Sequence, residues 1–254
     1  MDEIRAQKII NDIHNGFWQV MDWVFPPTCP GCGIEGELIC EECESKIVRL
    51  VGRQCKYCGL SVTGSDICGR CRDENHSYEA YRGYGYYTGV LRQAILRLKY
   101  QNDIGIARIL ASYLETLVVS NDWNFDIVVP VPLSAKKLEE RGYNQASRLA
   151  KPLAALLGKV YKPDALVRLR EVSSQVGLNK AARLENVKDA FRGNPKIAKG
   201  KSILLVDDVF TTGATLESAA SELMMVGARK VYALTLAKSY KIKMNIEQSP
   251  NIVV

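Results

Sequence analysis

The stretch ILLVDDVFTTGATLESAA, residues 203–220, decides the fold. Its first four residues are an unbroken apolar run, the pattern of a strand buried on both faces of a parallel sheet. Two adjacent carboxylates, Asp207 and Asp208, close that run. A threonine and glycine turn follows, and the spacing from Ala214 to Val226 predicts a helix. In sheets of this kind ligands bind beyond the carboxyl ends of the strands, where this turn lies. Thr211, Thr212, Gly213, Ala214 and Thr215 offer what a phosphate needs: free amides at a helix start, a glycine that permits close approach, and hydroxyl donors. Carboxylates would repel that phosphate. They make sense one step away, accepting hydrogen bonds from the neighbouring hydroxyls of a sugar that carries it, and a ribose 5-phosphate satisfies both halves.

The surrounding chain agrees with a parallel sheet. Helices are predicted over 90–100 (VLRQAILRLKY), 103–119 and 144–157, and strands over 125–133 (FDIVVPVPL), 165–169, 186–191, 201–206 and 230–237. Strands alternating with helices give an α/β fold. The segment YEAYRGYGYY (78–87) alternates aromatics around Gly83 and Gly85, which predicts a hairpin.

The 254 residues are 47% hydrophobic and 24% charged. No run of eighteen apolar residues is present, so no membrane insertion is expected. Asp2 and Glu3 near the start, with no uninterrupted apolar core after them, do not make a secretory signal, and the expected location is the cytoplasm. Ile9, Ile13, Phe17, Val20, Met21 and Val24 recur at helical spacing before Pro26 and Pro27, predicting an amphipathic helix within 1–27. The formal charge of +6 hides an asymmetry. Residues 1–77 carry 8 basic and 12 acidic side chains, whereas residues 78–254 carry 26 and 16, so the larger part is the basic one and suits an anionic ligand.

All eight cysteines lie in four CxxC pairs: Cys29/Cys32, Cys40/Cys43, Cys55/Cys58 and Cys68/Cys71. Such spacing in a chain expected to stay reduced reads as tetrahedral zinc. CPGCG (29–33) and CKYCG (55–59) share a glycine after the second cysteine that CEEC and CGRC lack, so CxxCG followed by CxxC occurs twice. The repeat favours two sequential sites, Cys29, Cys32, Cys40 and Cys43 on one zinc and Cys55, Cys58, Cys68 and Cys71 on the other, with a crossed pairing left open. Four thiolates leave no position for water, so both zincs would be structural. A module of this size, 28–77, with few large apolar side chains needs its metal to fold.

ILLVDDVFTTGAT resembles the phosphoribosyl pyrophosphate (PRPP) signature of type I phosphoribosyltransferases. The resemblance implies that Asp207 and Asp208 hold the ribose hydroxyls while Thr211, Thr212, Gly213, Ala214 and Thr215 cradle the 5′-phosphate. The cysteine knuckles, LRQAILRLKYQND, DIVVPVPLSAKKLEERGYNQA and VDDVFTTGAT, in that order, resemble the ComF family (ComFC-like) of natural competence proteins. That resemblance implies a parallel-sheet type I phosphoribosyltransferase-like domain over 78–254, preceded by the zinc-ribbon module. It makes the loop at Pro132, Leu133 and Ser134, with Lys136, Lys137 and Arg141 behind it, the pyrophosphate site, and Mg²⁺ the companion of PRPP. It also implies that 170–185 (REVSSQVGLNKAARLE) is a flap that brings in Lys180 and Arg183.

Three functions fit this reading. One is a protein of DNA uptake that acts with incoming single-stranded DNA, contacted by Arg82, Arg92, Arg97 and Lys99 interleaved with Tyr81, Tyr84, Tyr86, Tyr87 and Tyr100. The second is a nucleotide-salvage transferase. The third is a PRPP-responsive scaffold for the competence helicase (ComFA-like) that the family implies as partner. The residues favour PRPP binding and leave turnover open, since no element that would hold an acceptor base is identifiable after Ala237. His14 and His76 lie outside the transferase part and read as surface residues.

Overall fold

The computed structural model describes residues 26–101, 103–169 and 190–239. The expected N-terminal helix with His14, the 170–185 segment with Lys180 and Arg183, most of the 186–191 strand and the C-terminal tail lie outside the described residues.

Five parallel strands form the main sheet in the order β1 (Ala80–Tyr86), β7 (Lys230–Lys238), β6 (Ser202–Phe210), β2 (Ile127–Pro130), β3 (Val160–Tyr161). Along β6, Leu204 and Val206 enter one core and Ile203 and Leu205 the other, the period-two alternation of a strand buried on both sides. The first core is closed by α3 (Gly89–Tyr100), α4 (Ile104–Ser120) and α6 (Gln145–Leu156). Each contributes a stripe at helical spacing, for example Leu91, Ile95 and Leu98 from α3. The second core is closed by α8 (Ala214–Met225), by the short α7 (Pro195–Ala198), and by an antiparallel pair, β4 (Leu166–Arg168) with β5 (Phe191–Gly193). The chain leaves β2 toward β3 on one side and leaves β6 toward β7 on the other. The carboxyl ends of β2 and β6 therefore flank the point where strand order reverses, the usual crevice of an open α/β sheet.

Residues 78–87 do not form the expected hairpin. They form the single edge strand β1, parallel to β7. The glycines serve close approach, not a turn. A Cβ on Gly83 would lie 2.5 Å from the Tyr81 hydroxyl, and one on Gly85 would lie 2.8 Å from the Val48 carbonyl oxygen. Gly83 leaves room for the Tyr81 side chain and Gly85 for the segment between the two cysteine units, and the cysteine-bearing part pairs with this strand. Leu50 N–H donates to Tyr84 O (2.9 Å), Tyr86 N–H to Val48 O (2.8 Å) and Tyr81 N–H to Lys56 O (2.8 Å), so the open sheet edge is capped.

The two units sit on opposite faces of that edge. Cys29, Cys40 and Cys43 pack into the core of α3 and α4, whereas Cys55, Cys58 and Cys71 pack into the core of α8. Arg97 on α3 secures the start of the first unit, donating to both oxygens of Thr28, the Oγ1 bond at 2.8 Å. No described helix is long and apolar enough to cross a membrane.

Candidate functional site

The cysteines gather sequentially, as the repeat favours and against the crossed alternative. Cys29, Cys32, Cys40 and Cys43 form one cluster and Cys55, Cys58, Cys68 and Cys71 the other, their sulfurs all within 4.8 Å of one another. The repeat extends to the backbone. Gly33 N–H donates to Cys29 O (2.9 Å) and Gly59 N–H to Cys55 O (3.0 Å), both glycines with positive φ. Cys40 and Cys68 are extended N-caps, at φ −74°, ψ 157° and φ −72°, ψ 158°, of the short α1 (Glu41–Ser45) and α2 (Gly69–Arg72), which carry Cys43 and Cys71.

A tetrahedron with arms of about 2.3 Å separates its sulfurs by about 3.8 Å. The Cys32–Cys40 and Cys58–Cys68 sulfur distances of 3.6 and 3.7 Å fit zinc on that measure. The thiolate form is also favoured at one corner of each cluster. Burial alone would raise the pKa of Cys29 and Cys55, yet backbone amides, those of Cys40 and Cys68 foremost, lower them to about 6 and about 7.

At the carboxyl end of β6 the strand continues past the acids to Phe210, four residues beyond the expected end. Successive strand residues leave the sheet on opposite faces, and the two acids differ in surroundings. Asp208 turns toward the face of α3 and α6 and is 4% exposed. Its Oδ2 pairs with the ammonium of Lys99 from α3, and its Oδ1 accepts from Gln145 Nε2 of α6 at 3.1 Å. Asp207 remains partly exposed, its Oδ1 held by the Asp208 amide at 2.9 Å. Burial, and then the neighbouring Asp208 charge, raise the Asp207 pKa well above the ordinary carboxylate value.

Beyond Phe210, Thr211 and Thr212 are exposed, and Gly213 caps α8 in the left-handed region (φ 84°), contributing no side chain of its own to the first-turn amides. Thr212 Oγ1 accepts from Ala214 N, a long contact of 3.4 Å. Glu217, the one acid of that first turn, is committed elsewhere. Its carboxylate takes the Ser77 amide at 2.7 Å and faces His76 Nδ1 at 3.4 Å. His76 is therefore no surface residue: its side chain is 8% exposed and stacked on Tyr57 with ring centroids 4.2 Å apart.

The loop after β2 lies beside this turn because β2 and β6 are neighbours, Val131 N–H donating to Val206 O at 2.8 Å. Ser134 caps α5 (Ala135–Arg141), on which Lys136 and Lys137 are exposed. Arg141 donates to Gln145 Oε1 and lies over the Tyr100 ring at 5.3 Å. A continuous polar chain thus runs from Arg141 through Gln145 to Asp208 and Lys99, joining the two loops.

The basic and aromatic set proposed for nucleic acid is largely spoken for. Arg82 donates to Asn121 Oδ1 (2.8 Å) and Tyr81 O (2.7 Å), Arg97 holds Thr28, and Lys99 holds Asp208. Tyr81 is buried with its hydroxyl on Thr235 Oγ1 (2.9 Å), and Tyr84 stacks on Tyr113. Arg92 and Tyr100 are the exposed members.

Sequence reasoning named Lys99 as a nucleic-acid contact, not as a neighbour of Asp208, and did not name Gln145, though a signal was available. Lys99 stands eight residues after Leu91 and Gln145 four before Leu149, so each interrupts the apolar stripe of its own helix with a polar group.

Residues 20–72 match the double zinc ribbon domain family and residues 100–250 the phosphoribosyl transferase domain family. The chain is similar to the DNA utilization protein YhgH of Salmonella typhimurium, 31% identical over 207 residues that cover 79% of this chain and 90% of that one. It is 29% identical over 211 residues to competence protein F of Haemophilus influenzae, with coverage of 79% and 90%. Competence protein ComFC of Bacillus subtilis is 31% identical over 214 residues, covering 80% and 85%.

Proposed function

From membership of this chain in the ComF-like family, in which a double zinc ribbon precedes a phosphoribosyltransferase domain, we propose that it binds PRPP at the crevice between β2 and β6 and acts in the handling of single-stranded DNA. The observation that carries the reading is the juxtaposition of Asp207 with the uncapped turn 211–215 and the loop 132–134, all at the carboxyl ends of two adjacent parallel strands. In this reading the first-turn amides and the hydroxyls of Thr211, Thr212 and Thr215 hold the 5′-phosphate. Asp207 accepts from the ribose hydroxyls, and Ser134, Lys136 and Arg141 face the pyrophosphate. Mg²⁺, when bound with PRPP, would offset diphosphate charge.

Pyrophosphate displacement from C1 would require an acceptor, and the proposal is for binding, with turnover as a separate question. The zincs are structural, since each four-cysteine set leaves no ligand position open. The names of the relatives, DNA utilization and competence, favour a DNA-handling role over nucleotide salvage. In this reading a helicase of the uptake machinery is the partner, and PRPP sets affinity for DNA or for that partner.

The test is calorimetric titration of the full chain with PRPP and Mg²⁺, repeated in the presence of single-stranded DNA. Saturable heat that disappears in Asp207→Asn, and a DNA affinity that changes with PRPP, is the expected result. Absence of heat in the wild type would reject the reading.

A further inference from the structure

We propose that the second cysteine unit is a structural part of the ligand site: His76 and Ser77, where the chain leaves that unit, hold the Glu217 carboxylate of α8, so that zinc at Cys55, Cys58, Cys68 and Cys71 and a phosphate ligand at 211–215 strengthen each other's binding. His76 and Glu217 are then positioning residues. The inference rests on the sugar-phosphate reading of the turn and adds to it a regulation through the metal.

Three ties join that unit to the turn. The amides at the start of α8 attract negative charge, and Glu217 in the same first turn is a competing anion of the protein's own. Its Oε1 accepts from the Ser77 amide at 2.7 Å and its Oε2 faces His76 Nδ1 at 3.4 Å, which commits the carboxylate to the ribbon side. The unit itself seats His76: the ring stacks on Tyr57, which lies between Cys55 and Cys58, and Tyr78 donates to the Tyr57 carbonyl at 2.8 Å. His76 Nε2 is buried with no hydrogen-bond partner among the described residues, so Glu217 is the polar group that the ring meets there. The second tie is Lys238, 6% exposed, whose ammonium donates to the Cys58 carbonyl at 2.6 Å while lying 4.7 Å from the centre of the Phe210 ring. The third is Tyr81, whose amide bonds Lys56 of the unit and whose ring packs on Phe210, the residue beneath Gly213. Cys55, Cys58 and Cys71 accordingly share a core with Phe210 and Leu216, whereas Cys29, Cys40 and Cys43 share theirs with α3 and α4. A four-cysteine unit this small keeps its shape through its metal, so loss of the second zinc frees Glu217 and unseats Phe210. By linkage, a ligand that holds the turn favours retention of that zinc by the same factor.

The test sets the full chain, loaded with zinc, against a zinc-selective chromophoric chelator at equilibrium, with and without saturating PRPP and Mg²⁺. PRPP is expected to raise the chelator concentration that strips one zinc by about tenfold and to leave the other zinc unchanged. Cys32→Ser, which keeps the second unit intact, should show the shift, and Cys68→Ser, which keeps the first, should not. His76→Phe retains a ring against Tyr57 but loses the contact with the carboxylate, and should weaken PRPP about threefold to tenfold by calorimetry. Adding Glu217→Gln to that variant should return affinity to within about twofold of wild type, because the competing charge is gone, a rescue that a merely structural role of His76 would not give. Equal protection of both zincs, or of neither while calorimetry shows PRPP bound, would overturn the inference. So would His76→Phe with wild-type affinity, or a double variant no better than His76→Phe. Should Cys68→Ser not fold, wild type decides alone, since its first zinc is an internal reference. If wild type gives no heat with PRPP, the sugar-phosphate reading falls first and this inference with it, an outcome distinct from the others.

Discussion

Replacing Gly213 by alanine probes the corner on which the phosphate loop turns. The residue sits at φ 84°, where an L side chain is disfavoured by about 1–2 kcal/mol. A Cβ there would also lie 2.7 Å from Phe210 Cζ and 3.0 Å from Cε2. The ring cannot easily swing away. It packs on Tyr81 with centroids 4.3 Å apart, and the Lys238 ammonium lies 4.7 Å from its centre while donating to the Cys58 carbonyl at 2.6 Å. Overpacking of a filled site costs about 1–3 kcal/mol, so the two effects together amount to roughly 2–5 kcal/mol. For a chain of this size that is a fall in Tm of roughly 4–20 °C, read by circular dichroism melts. The backbone and packing parts separate when Gly213→Ala is measured in wild type and in a Phe210→Leu background, where only the backbone part of about 1–2 kcal/mol should remain. Equal destabilisation in both backgrounds, or a total below about 1 kcal/mol, would refute the packing of Phe210 beneath the loop.

Asp207→Asn should stabilise the free protein while removing ligand binding. Burial and Asp208 raise the native pKa of Asp207, so the folded state holds its proton more tightly than the unfolded chain. Its favourable contribution is present below the ordinary carboxylate pKa and is lost as pH rises through the raised native value. Melts from about pH 4 to about pH 8 should show Asp207→Asn more stable than wild type at the upper end, and a lower Tm there would contradict the account. Elemental analysis should find two zincs per chain, and Cys55→Ser should lose one of them. The same variant should lose hydrogen-exchange protection at the Tyr81 amide, which bonds Lys56 in that unit, whereas Cys32→Ser should leave it protected. A Tyr81 amide indifferent to Cys55→Ser would detach the second ribbon from the sheet edge.

What the sequence revealed and concealed follows from the range of the interactions. The central strand, the turn and α8 were legible because a buried run, a glycine at a helix start and a 3.6 period are local signals, all present within 203–226. The sequential pairing of cysteines was legible for the same reason, since CxxCG followed by CxxC is a local repeat. The hairpin expected at 78–87 failed because the segment's backbone partners, β7 on one side and Val48 and Leu50 on the other, are distant in sequence and no pattern within the segment encodes them. The pairing of Asp208 with Lys99 was not legible because the lysine stands 109 positions earlier. His76 was read as a surface residue because its partner, Glu217, is 141 positions away.

The most direct measurement of the central claim is a crystal structure of the protein with PRPP and Mg²⁺. The account predicts the 5′-phosphate seated on the amides of 211–215 and ribose hydroxyls on Asp207. A ligand bound elsewhere, or a turn 211–215 whose first-turn amides are closed off by the protein's own side chains, would contradict it.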